Sequence, residues 1–369
     1  MKPFLSRLDL QTFRNYHAVS FRPDAQVTLV VGPNGAGKTS LVEALYVLAT
    51  GRSFRTGRLE KVVENGADRA VLYAEVSDGD RPESAMRRVG MARSRQKLEE
   101  LKVDGERVRG LAEVARLLPV LVMHPGTVDL VEGGSGGRRR LLDWILFHVE
   151  HDFQGQWQAF SSALRQRNNL LKSGKVTPAE LRVWDRQLAQ SSVRIDGLRR
   201  QVFPAFQDAF QNHLARLSPE LDGVRMSLHP GWELGADLAQ ALTERHGLDV
   251  RRGFTSVGAH RADVRLASDA GSVREVFSRG QKKVVAYALV LAQLSVIKAL
   301  NSQTCIVLVD DLTSELDEAH CQRVLTGLLD TGSQVIITAL NQGLPPGVAD
   351  SGARVSMFHV EHGQLKRLD

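Results

Sequence analysis

The chain contains almost no cysteine. Only Cys305 and Cys321 occur among its 369 residues, which excludes a disulfide framework and a metal site made of several thiolates. Cys305 lies in the apolar run CIVLV, so we expect a small buried residue there and not a reactive thiol. His124 has no second metal ligand at a suitable spacing, and we predict a structural role for it.

Long uninterrupted apolar segments are also missing. The N-terminal stretch MKPFLSRLDLQTF has no apolar core of signal-peptide length. The longest apolar stretch, residues 284–300, is interrupted by Tyr287, Gln293, Ser295 and Lys298, which predicts a buried helix rather than a membrane span. We therefore expect a cytoplasmic protein without a membrane partner.

The chain has no strong excess of charge of either sign. Its 48 basic and 42 acidic residues give a net charge of +6, which permits a nucleic-acid partner without demonstrating one. Residues 138–200 are more basic, with 12 Lys or Arg against 6 Asp or Glu, and a solvated helix face explains that excess equally well. With 43% apolar residues, the chain is able to bury the core of one large domain or of two.

Apolar residues follow three different patterns in different parts of the chain. Continuous apolar runs, typical of buried parallel strands, occur at residues 27–31, 119–123, 305–309 and 334–338. Residues 68–109 alternate instead and predict antiparallel strands with turns at Asp78-Gly79 and Asp104-Gly105. Residues 138–217 have helical periodicity, as in the spacing of Leu181, Trp184 and Leu188.

The segment GPNGAGKTS fits the pattern of a phosphate-binding loop between the strand VTLVV and the helix LVEALYVLA. Its glycines let backbone N–H groups surround phosphate oxygens, and the helix N-terminus favours the anion. Lys38 is predicted to reach the β- and γ-phosphates of ATP, and the Thr39 hydroxyl to ligate Mg²⁺. The predicted nucleotide contacts in this loop are Gly32, Pro33, Asn34, Gly35, Ala36, Gly37, Lys38, Thr39 and Ser40.

Two carboxylates follow the apolar strand CIVLV. We expect Asp310 to hold Mg²⁺ and Asp311 to orient or deprotonate the attacking water. Helix capping is the common alternative for such residues. The presence of a phosphate-binding loop in the same chain favours the metal interpretation, so Lys38, Asp310 and Asp311 are the predicted catalytic residues.

A second anion-binding turn is predicted at SRGQ, residues 278–281, about 240 residues after the phosphate loop. It resembles the signature of ATP-binding-cassette ATPases, in which Ser278, Gly280 and Gln281 would contact the γ-phosphate held by an opposite subunit. SELD, residues 314–317, resembles the D-loop of the same class. The order of phosphate loop, signature and acidic strand end therefore predicts a P-loop ATPase head.

The distance between the phosphate loop and the signature, and the kind of insert between them, exclude two other classes of cassette ATPase. A transporter ATPase would have a short helical insert and a histidine after QVIITAL, and copurification with membranes would support it. A structural tether of the SMC or Rad50 type would have long heptads, a hinge or a zinc hook, and bridging of two DNA molecules would support it. This chain has none of those sequence features.

The RecF family remains, and the resemblance extends over nearly the whole chain. LDLQTFRNY, EALYVLATGRSFR, RRRLLDW, RQRNNLL, GAHRADV, FSRGQKK and DDLTSELD are all similar to landmarks of that family. Phe277 and Ala259 depart from the usual Leu and Pro, and neither is a predicted nucleotide contact. Asp311 replaces the Glu common in cassette ATPases, and the shorter side chain suits slow hydrolysis.

The resemblance implies an α/β fold: an ABC-type head with a mixed sheet, flanking helices and an antiparallel β-subdomain, plus an inserted helical arm. We expect the head at residues 1–130 and 253–369 and the arm at 131–252. It further implies a weak, DNA-stimulated ATPase that dimerises with ATP and binds gapped, single-stranded or double-stranded DNA. The implied partners are RecR, with RecO and RecA downstream, in repair, replication restart and the SOS response.

Several residues have open roles. By analogy with other DNA-repair heads, Arg14 and Asn15 are expected near the nucleotide. His260 and Arg261 either face the nucleotide or stabilise the junction of the lobes. The candidate DNA contacts, each of which is individually more typical of a solvated charge, are Arg87, Arg88, Arg93, Arg95, Lys97, Arg138, Arg139 and Arg140.

Overall fold

The computed structural model describes residues 3–23, 26–78, 86–221, 223–312, 316–341, 343, 345 and 347–368. The chain divides into two compact units, of which the first contains Met1–Thr127 and Lys298–Asp369 and the second contains Val128–Ile297. The sequence predicts the second boundary at residues 252 and 253. The structure instead places residues 253–297 in the second unit, because a strand in this segment pairs with one that precedes it there.

The strands and helices occur in the following order. The first unit begins with β1 (Pro3–Phe13), β2 (Tyr16–Phe21), β3 (Val27–Val31), α1 (Lys38–Thr50), β4 (Arg69–Asp78), β5 (Arg87–Ser94), β6 (Leu98–Val103), β7 (Glu106–Arg107), α2 (Leu111–Leu117) and β8 (Val120–Met123). The second unit contains α3 (Asp129–Glu132), α4 (Ser135–Val149), α5 (Phe153–Leu171), α6 (Pro178–Leu217), β9 (Arg225–His229), α7 (Leu238–Glu244), α8 (His246–Arg252), β10 (Asp263–Ser268), β11 (Gly271–Ser272) and α9 (Val273–Val276). Helix α10 (Arg279–Asn301) contains the boundary, and the first unit resumes with β12 (Ile306–Asp310), α11 (Glu318–Asp330), β13 (Gln334–Ala339), β14 (Val355–Glu361) and β15 (Gln364–Arg367).

A mixed six-stranded sheet forms the centre of the first unit, in the order β15-β14-β3-β13-β12-β8. All four strands predicted from continuous apolar runs are present and parallel, and β14 pairs parallel with β3. Every residue of β3, β12 and β13 is buried, as expected for strands covered on both faces. The carboxyl ends of β3, β12 and β13 therefore lie side by side, which places the residues that follow them together.

A second, antiparallel sheet in the same unit has the order β2-β1-β4-β5-β6-β7. It confirms the antiparallel strands predicted for residues 68–109. The turn at Asp104 and Gly105 has positive φ at both residues, 52° and 87°, as a tight hairpin requires. Gly79 in the other predicted turn lies outside the described residues.

The second unit is mainly helical, as the arm was predicted to be. Helix α6 extends over 40 residues and begins with a capping box between Thr177 and Glu180. Its apolar face is buried at Leu181 and Leu188, and a small sheet, β11-β10-β9, completes the unit.

Helix α10 is the one helix in the described part of the chain that is long and apolar enough to cross a membrane, with a mean hydropathy of 1.7. In the 18-residue segment of this helix to which that hydropathy refers, 72% is buried inside the fold. This burial agrees with the prediction of a core helix for residues 284–300.

Candidate nucleotide-binding site

The loop between β3 and α1 has the backbone of a phosphate-binding loop. Gly32 and Gly37 have φ of 153° and 123°, which side-chain-bearing residues rarely adopt. A Cβ on Gly32 would lie 2.2 Å from the carbonyl oxygen of Val360, and one on Gly37 would lie 2.6 Å from Asn15 Nδ2. Both positions therefore need glycine for conformation and for space.

The turn between β1 and β2 and the first residue of β2 contact the backbone of this loop. Asn15 Nδ2 donates to the carbonyl oxygen of Ala36 over 3.0 Å, and the Tyr16 hydroxyl donates to that of Gly37 over 3.0 Å. Burial raises the pKa of Tyr16 well above its ordinary value, so the hydroxyl keeps its proton as a donor. Asn15 thus contacts the loop backbone, whereas Arg14 pairs with Glu43.

Lys38 is folded onto the loop. Its Nζ donates to the carbonyl oxygens of Gly32 and Pro33 over 2.7 and 3.0 Å. Burial lowers the pKa of Lys38, and the nearby carboxylates of Asp311 and Asp310 oppose that shift. The ammonium group is thus held at the loop by weak carbonyl acceptors that a phosphate would replace.

The hydroxyl of Thr39 and the carboxylate of Asp310 are hydrogen-bonded at the edge of the central sheet where the parallel strands end. Thr39 Oγ1 donates to Asp310 Oδ1 over 2.9 Å, and Thr338 Oγ1 donates to the same oxygen over 2.8 Å. Thr338 Oγ1 also accepts from the backbone N–H of Asp311 over 3.1 Å. Asp311 has a φ of 58°, and this bond holds its strained backbone in place.

These groups surround one cleft of about 170 Å³. It is lined by Asn34, Gly35, Gly37, Lys38, Thr39, Ser40, Arg55, Asp310, Asp311, Thr338 and Leu340. The cleft therefore brings together most of the predicted loop residues with both predicted carboxylates.

The donor set fits Mg²⁺, which prefers hard oxygen ligands. The Thr39 hydroxyl and the Asp310 carboxylate are within hydrogen-bond distance of each other, so one cation is able to bind both. Over the described residues, no group of three or more His, Cys, Asp and Glu side chains could hold a metal.

Sequence reasoning missed two features of this cleft. Arg55 lines it, and buried Glu43 binds Arg55 over 3.3 Å and Arg14 over 2.6 Å. A glutamate inside the otherwise apolar helix LVEALYVLA was the available signal. Thr338 was missed because nothing in the sequence of β13 marks its contact with β12.

The signature turn lies in the second unit and forms a reciprocal cap. Gln281 Oε1 accepts from the N–H of Ser278 over 2.9 Å, and Ser278 Oγ accepts from the N–H of Gln281 over 3.3 Å. The N–H groups of Arg279 and Gly280 belong to the first turn, where the helix itself supplies no acceptor. Of the predicted D-loop, Ser314 and Glu315 lie outside the described residues, and Asp317 caps α11.

Several candidate DNA contacts have structural partners instead. Arg138 pairs with Asp263 over 2.9 Å, Arg139 donates to the carbonyl oxygen of Ala262, and Arg93 is only 7% exposed. Arg87 pairs with Asp104, and Arg95 donates to the carbonyl oxygen of Glu64. Arg88, Lys97 and Arg140 are exposed.

The two residues with an open role lie in the second unit. His260 Nε2 donates to the carbonyl oxygen of Thr255 over 3.0 Å, and Arg261 Nη2 donates to the same oxygen over 3.1 Å. Burial lowers the pKa of His260 to about 4, so its ring is neutral at pH 7. Elsewhere, the His124 ring accepts from the N–H of Gly126, as expected for a structural residue.

The central sheet, the phosphate loop and the acidic strand end define an ABC-type P-loop ATPase head. A family model described as the RecF/RecN/SMC N terminal domain matches residues 4–365. The DNA replication and repair protein RecF of Pseudomonas aeruginosa (strain LESB58) is 37% identical over 363 residues, which cover 98% of this chain and 97% of that protein. RecF of Teredinibacter turnerae is 34% identical over 371 residues, or 99% of this chain and 96% of that protein.

Solved structures agree on the fold. The structure of the recombination mediator protein RecF-ATP in the RecFOR pathway has a TM-score of 0.85 at 22% identity, covering 100% of this chain and 98% of that one. The Smc head bound to the C-winged helix domain of ScpA has a TM-score of 0.60 at 18% identity, covering 99% and 97%. The chain belongs to the RecF family.

Proposed function

We propose that this chain is an ATP-dependent DNA-binding protein of recombinational repair, whose slow ATP hydrolysis resets a DNA clamp. The observation that carries the proposal is the contact between Thr39 and Asp310 beside Lys38, because it brings into one cleft the hydroxyl, carboxylate and ammonium groups that would hold magnesium and phosphate. Relatives over nearly the whole chain are DNA replication and repair proteins, which supports the biological setting.

In the proposed reaction, Lys38 leaves the carbonyl oxygens of its own loop and binds the β- and γ-phosphates. Mg²⁺ held by Thr39 and Asp310 would supply charge stabilisation for phosphoryl transfer. Asp311 orients the attacking water and accepts its proton as the water oxygen bonds to the γ-phosphorus, while the bond from that phosphorus to the β–γ bridging oxygen breaks and ADP leaves. The short carboxylate side chain of Asp311 suits a slow, timed hydrolysis.

The signature turn completes the site of a second copy of the chain. Ser278 and the backbone around Gly280 bind the γ-phosphate held by the opposite subunit, with Gln281 as a further contact. The reciprocal cap supports this role, because it fixes the turn while the N–H groups of the first helical turn remain available for an anion. ATP then joins two subunits, and hydrolysis removes the γ-phosphate that both require.

The closed dimer binds DNA near single-strand gaps and junctions with duplex. It recruits RecR, with RecO, and promotes loading of RecA in gap repair, replication restart and the SOS response. Family membership supports these partners, and the exposed cations provide the contacts to phosphates without reading bases.

Analytical ultracentrifugation with ADP, ATP and gapped DNA tests the proposal. We expect an ATP-driven dimer for the wild type, none for Ser278→Arg, and loss of ATP-dependent DNA binding for Lys38→Ala. Ser227→Arg, at an exposed position of β9 in the same unit as Ser278, serves as the matched control and should dimerise normally. Equal dimerisation of Ser278→Arg and wild type would refute the shared site.

A further inference from the structure

One large aromatic side chain of the second unit is displayed on the surface. Phe254 is 40% exposed, and the guanidinium carbon of Arg261 lies 5.0 Å from the centre of its ring. Such a pair presents a flat, weakly hydrated surface, since a guanidinium stacks on an aromatic face. Burial of an apolar core does not explain why so much of this ring remains in contact with solvent.

Three further exposed cations belong to the chain segments that adjoin Gly253, the residue before Phe254. Arg251 and Arg252 end helix α8, and Gly253 separates them from Phe254 in the chain. The Arg251 side chain extends back along the helix, where its Nη1 lies 3.8 Å from the position that a Cβ on Gly247 would occupy. Lys172 follows helix α5, and its Cγ lies 3.9 Å from the position that a Cβ on Gly253 would occupy. We call Lys172, Arg251, Arg252, Phe254 and Arg261 the Phe254 surface.

The acidic groups beneath this surface are already engaged by a buried arginine. Arg167 is fully buried and binds Asp249 over 2.7 Å and Asp185 over 2.6 Å. Asp249 is itself fully buried and also accepts from the N–H of Ser256. The cations of the Phe254 surface thus face solvent, while these two carboxylates face inward.

The backbone beside Phe254 is rigidly held. The N–H and hydroxyl of Thr255 both donate to Asn168 Oδ1, over 2.8 and 2.7 Å. The Thr255 hydroxyl accepts from Arg167, and its carbonyl oxygen accepts from His260 and Arg261. The segments RQRNNLL and GAHRADV therefore meet at Thr255, and their hydrogen bonds fix the residue next to the exposed ring.

An exposed aromatic among cations is the arrangement that binds single-stranded nucleic acid, in which bases stack and phosphates are neutralised. Duplex DNA hides its base faces, so the aromatic ring would add nothing to duplex binding. We propose that the Phe254 surface binds unpaired nucleotides of single-stranded DNA, with one base stacked on the Phe254 and Arg261 pair and the backbone phosphates near Lys172, Arg251 and Arg252. This inference rests on the DNA binding proposed above and assigns its single-strand contact to the second unit.

The first test compares single-stranded and duplex DNA by fluorescence anisotropy, using the full-length chain with ATP and Mg²⁺. The probes are a labelled oligothymidylate and a labelled blunt duplex of equal length. We expect Phe254→Ala to weaken binding of the oligothymidylate by about 5-fold to 150-fold, the effect of losing one stacked base. Binding of the duplex should remain as in wild type, and Phe254→Trp should retain single-strand affinity.

Leu234→Ala is the matched control, because Leu234 is 68% exposed in the same unit and is not part of the Phe254 surface. Thermal melting of each variant checks that the fold is kept. Should Phe254→Ala bind oligothymidylate as wild type does, or lose duplex binding to the same extent, the stacking inference is wrong. Absence of DNA binding by the wild type would instead refute the proposed function itself.

The second test concerns the phosphates. The double variant Arg251→Ala, Arg252→Ala should reduce the slope of log affinity against log salt concentration by about 1.4 for oligothymidylate, since each phosphate contact on a single strand contributes about 0.7. Arg194→Ala, Arg265→Ala removes two exposed arginines of the same unit as a control. An unchanged slope in the first double variant would overturn the assignment of these cations to the DNA backbone.

Discussion

Replacement of Thr338 by valine probes how the carboxylates of the cleft are held. Both side chains are β-branched and have nearly the same shape, so the exchange removes the hydroxyl without leaving a cavity. Asp310 loses one of its two hydroxyl donors, at 2.8 Å, and the N–H of Asp311 loses its acceptor at 3.1 Å. Because Thr338 is 2% exposed, water does not readily replace the missing group.

The expected effect follows from the character of the two hydrogen bonds. A hydrogen bond to a charged group contributes about 1.5–3 kcal/mol. If that free energy positions Asp310 and Asp311 for the reaction, its loss lowers kcat by about 10-fold to 150-fold, since 1.4 kcal/mol corresponds to a factor of ten. The affinity for ATP itself should change little, because Lys38 and the loop backbone are untouched.

The assay is steady-state ATP hydrolysis with DNA at a series of Mg²⁺ concentrations, together with binding of a fluorescent ATP analogue. Thr338→Val should lower kcat and require more Mg²⁺ for half-maximal rate. Thr338→Ser keeps the hydroxyl and should restore most of the activity. The reasoning would be refuted if Thr338→Val had wild-type kcat and Mg²⁺ dependence, or if the serine variant were as impaired as the valine variant.

Three more outcomes are expected. Arg167→Met leaves the buried carboxylate of Asp249 without its cation, which should cost about 3–5 kcal/mol and lower the calorimetric melting temperature by about 6–20 °C. Glu43→Gln weakens the anchor of Arg55, and we expect about tenfold weaker binding of a fluorescent ATP analogue. Both cysteines should resist a disulfide reagent in the folded chain and react after unfolding, because burial removes access and raises the pKa of Cys321 to about 11.

The first two of these have a control at the same type of residue, and the third has an outcome that would contradict it. Arg165→Met changes an exposed arginine of α5 and should melt as wild type does, whereas equal losses at Arg165 and Arg167 would contradict the buried-charge argument. Glu60→Gln, at an exposed glutamate, should leave ATP binding unchanged. Rapid reaction of either thiol in the native chain would mean that the fold opens at α11, which contains Cys321, or at Cys305, which directly precedes β12.

The sequence predicts the central strands well because a strand buried on both faces leaves a continuous local pattern. The runs that begin at Val27 and Gln334 correspond to β3 and β13 within a residue of each end. The phosphate loop is equally local, since glycine geometry and lysine position are set within nine residues. The contact of Thr39 with Asp310 becomes possible once β3 and β12 lie on either side of β13 in a parallel sheet.

Local sequence patterns do not reveal contacts between residues that are distant in the sequence. Thr338 and Glu43 act on residues that are distant in the sequence or across the sheet, and neither position has an unusual neighbourhood apart from the buried charge of Glu43. The second compact unit extends past the boundary predicted at residue 253 for the same reason. Strand β10 belongs to the second unit because it pairs with β9. No change in amino-acid composition along the chain indicates this pairing.

Residues 138–200 show most clearly why an excess of basic residues in the sequence is a poor guide to a DNA-binding surface. Several of the twelve basic residues in this segment neutralise internal carboxylates: Arg138 binds Asp263, Arg167 binds Asp185 and Asp249, and Arg199 binds Asp143. Such arginines stabilise the unit and are costly to expose, because their partners would be left buried and charged. A DNA contact must therefore be sought among cations that remain in solvent. Those beside Phe254 meet this condition and also have an aromatic ring for bases, whereas the run Arg138 to Arg140, which is denser in the sequence, leaves only Arg140 exposed.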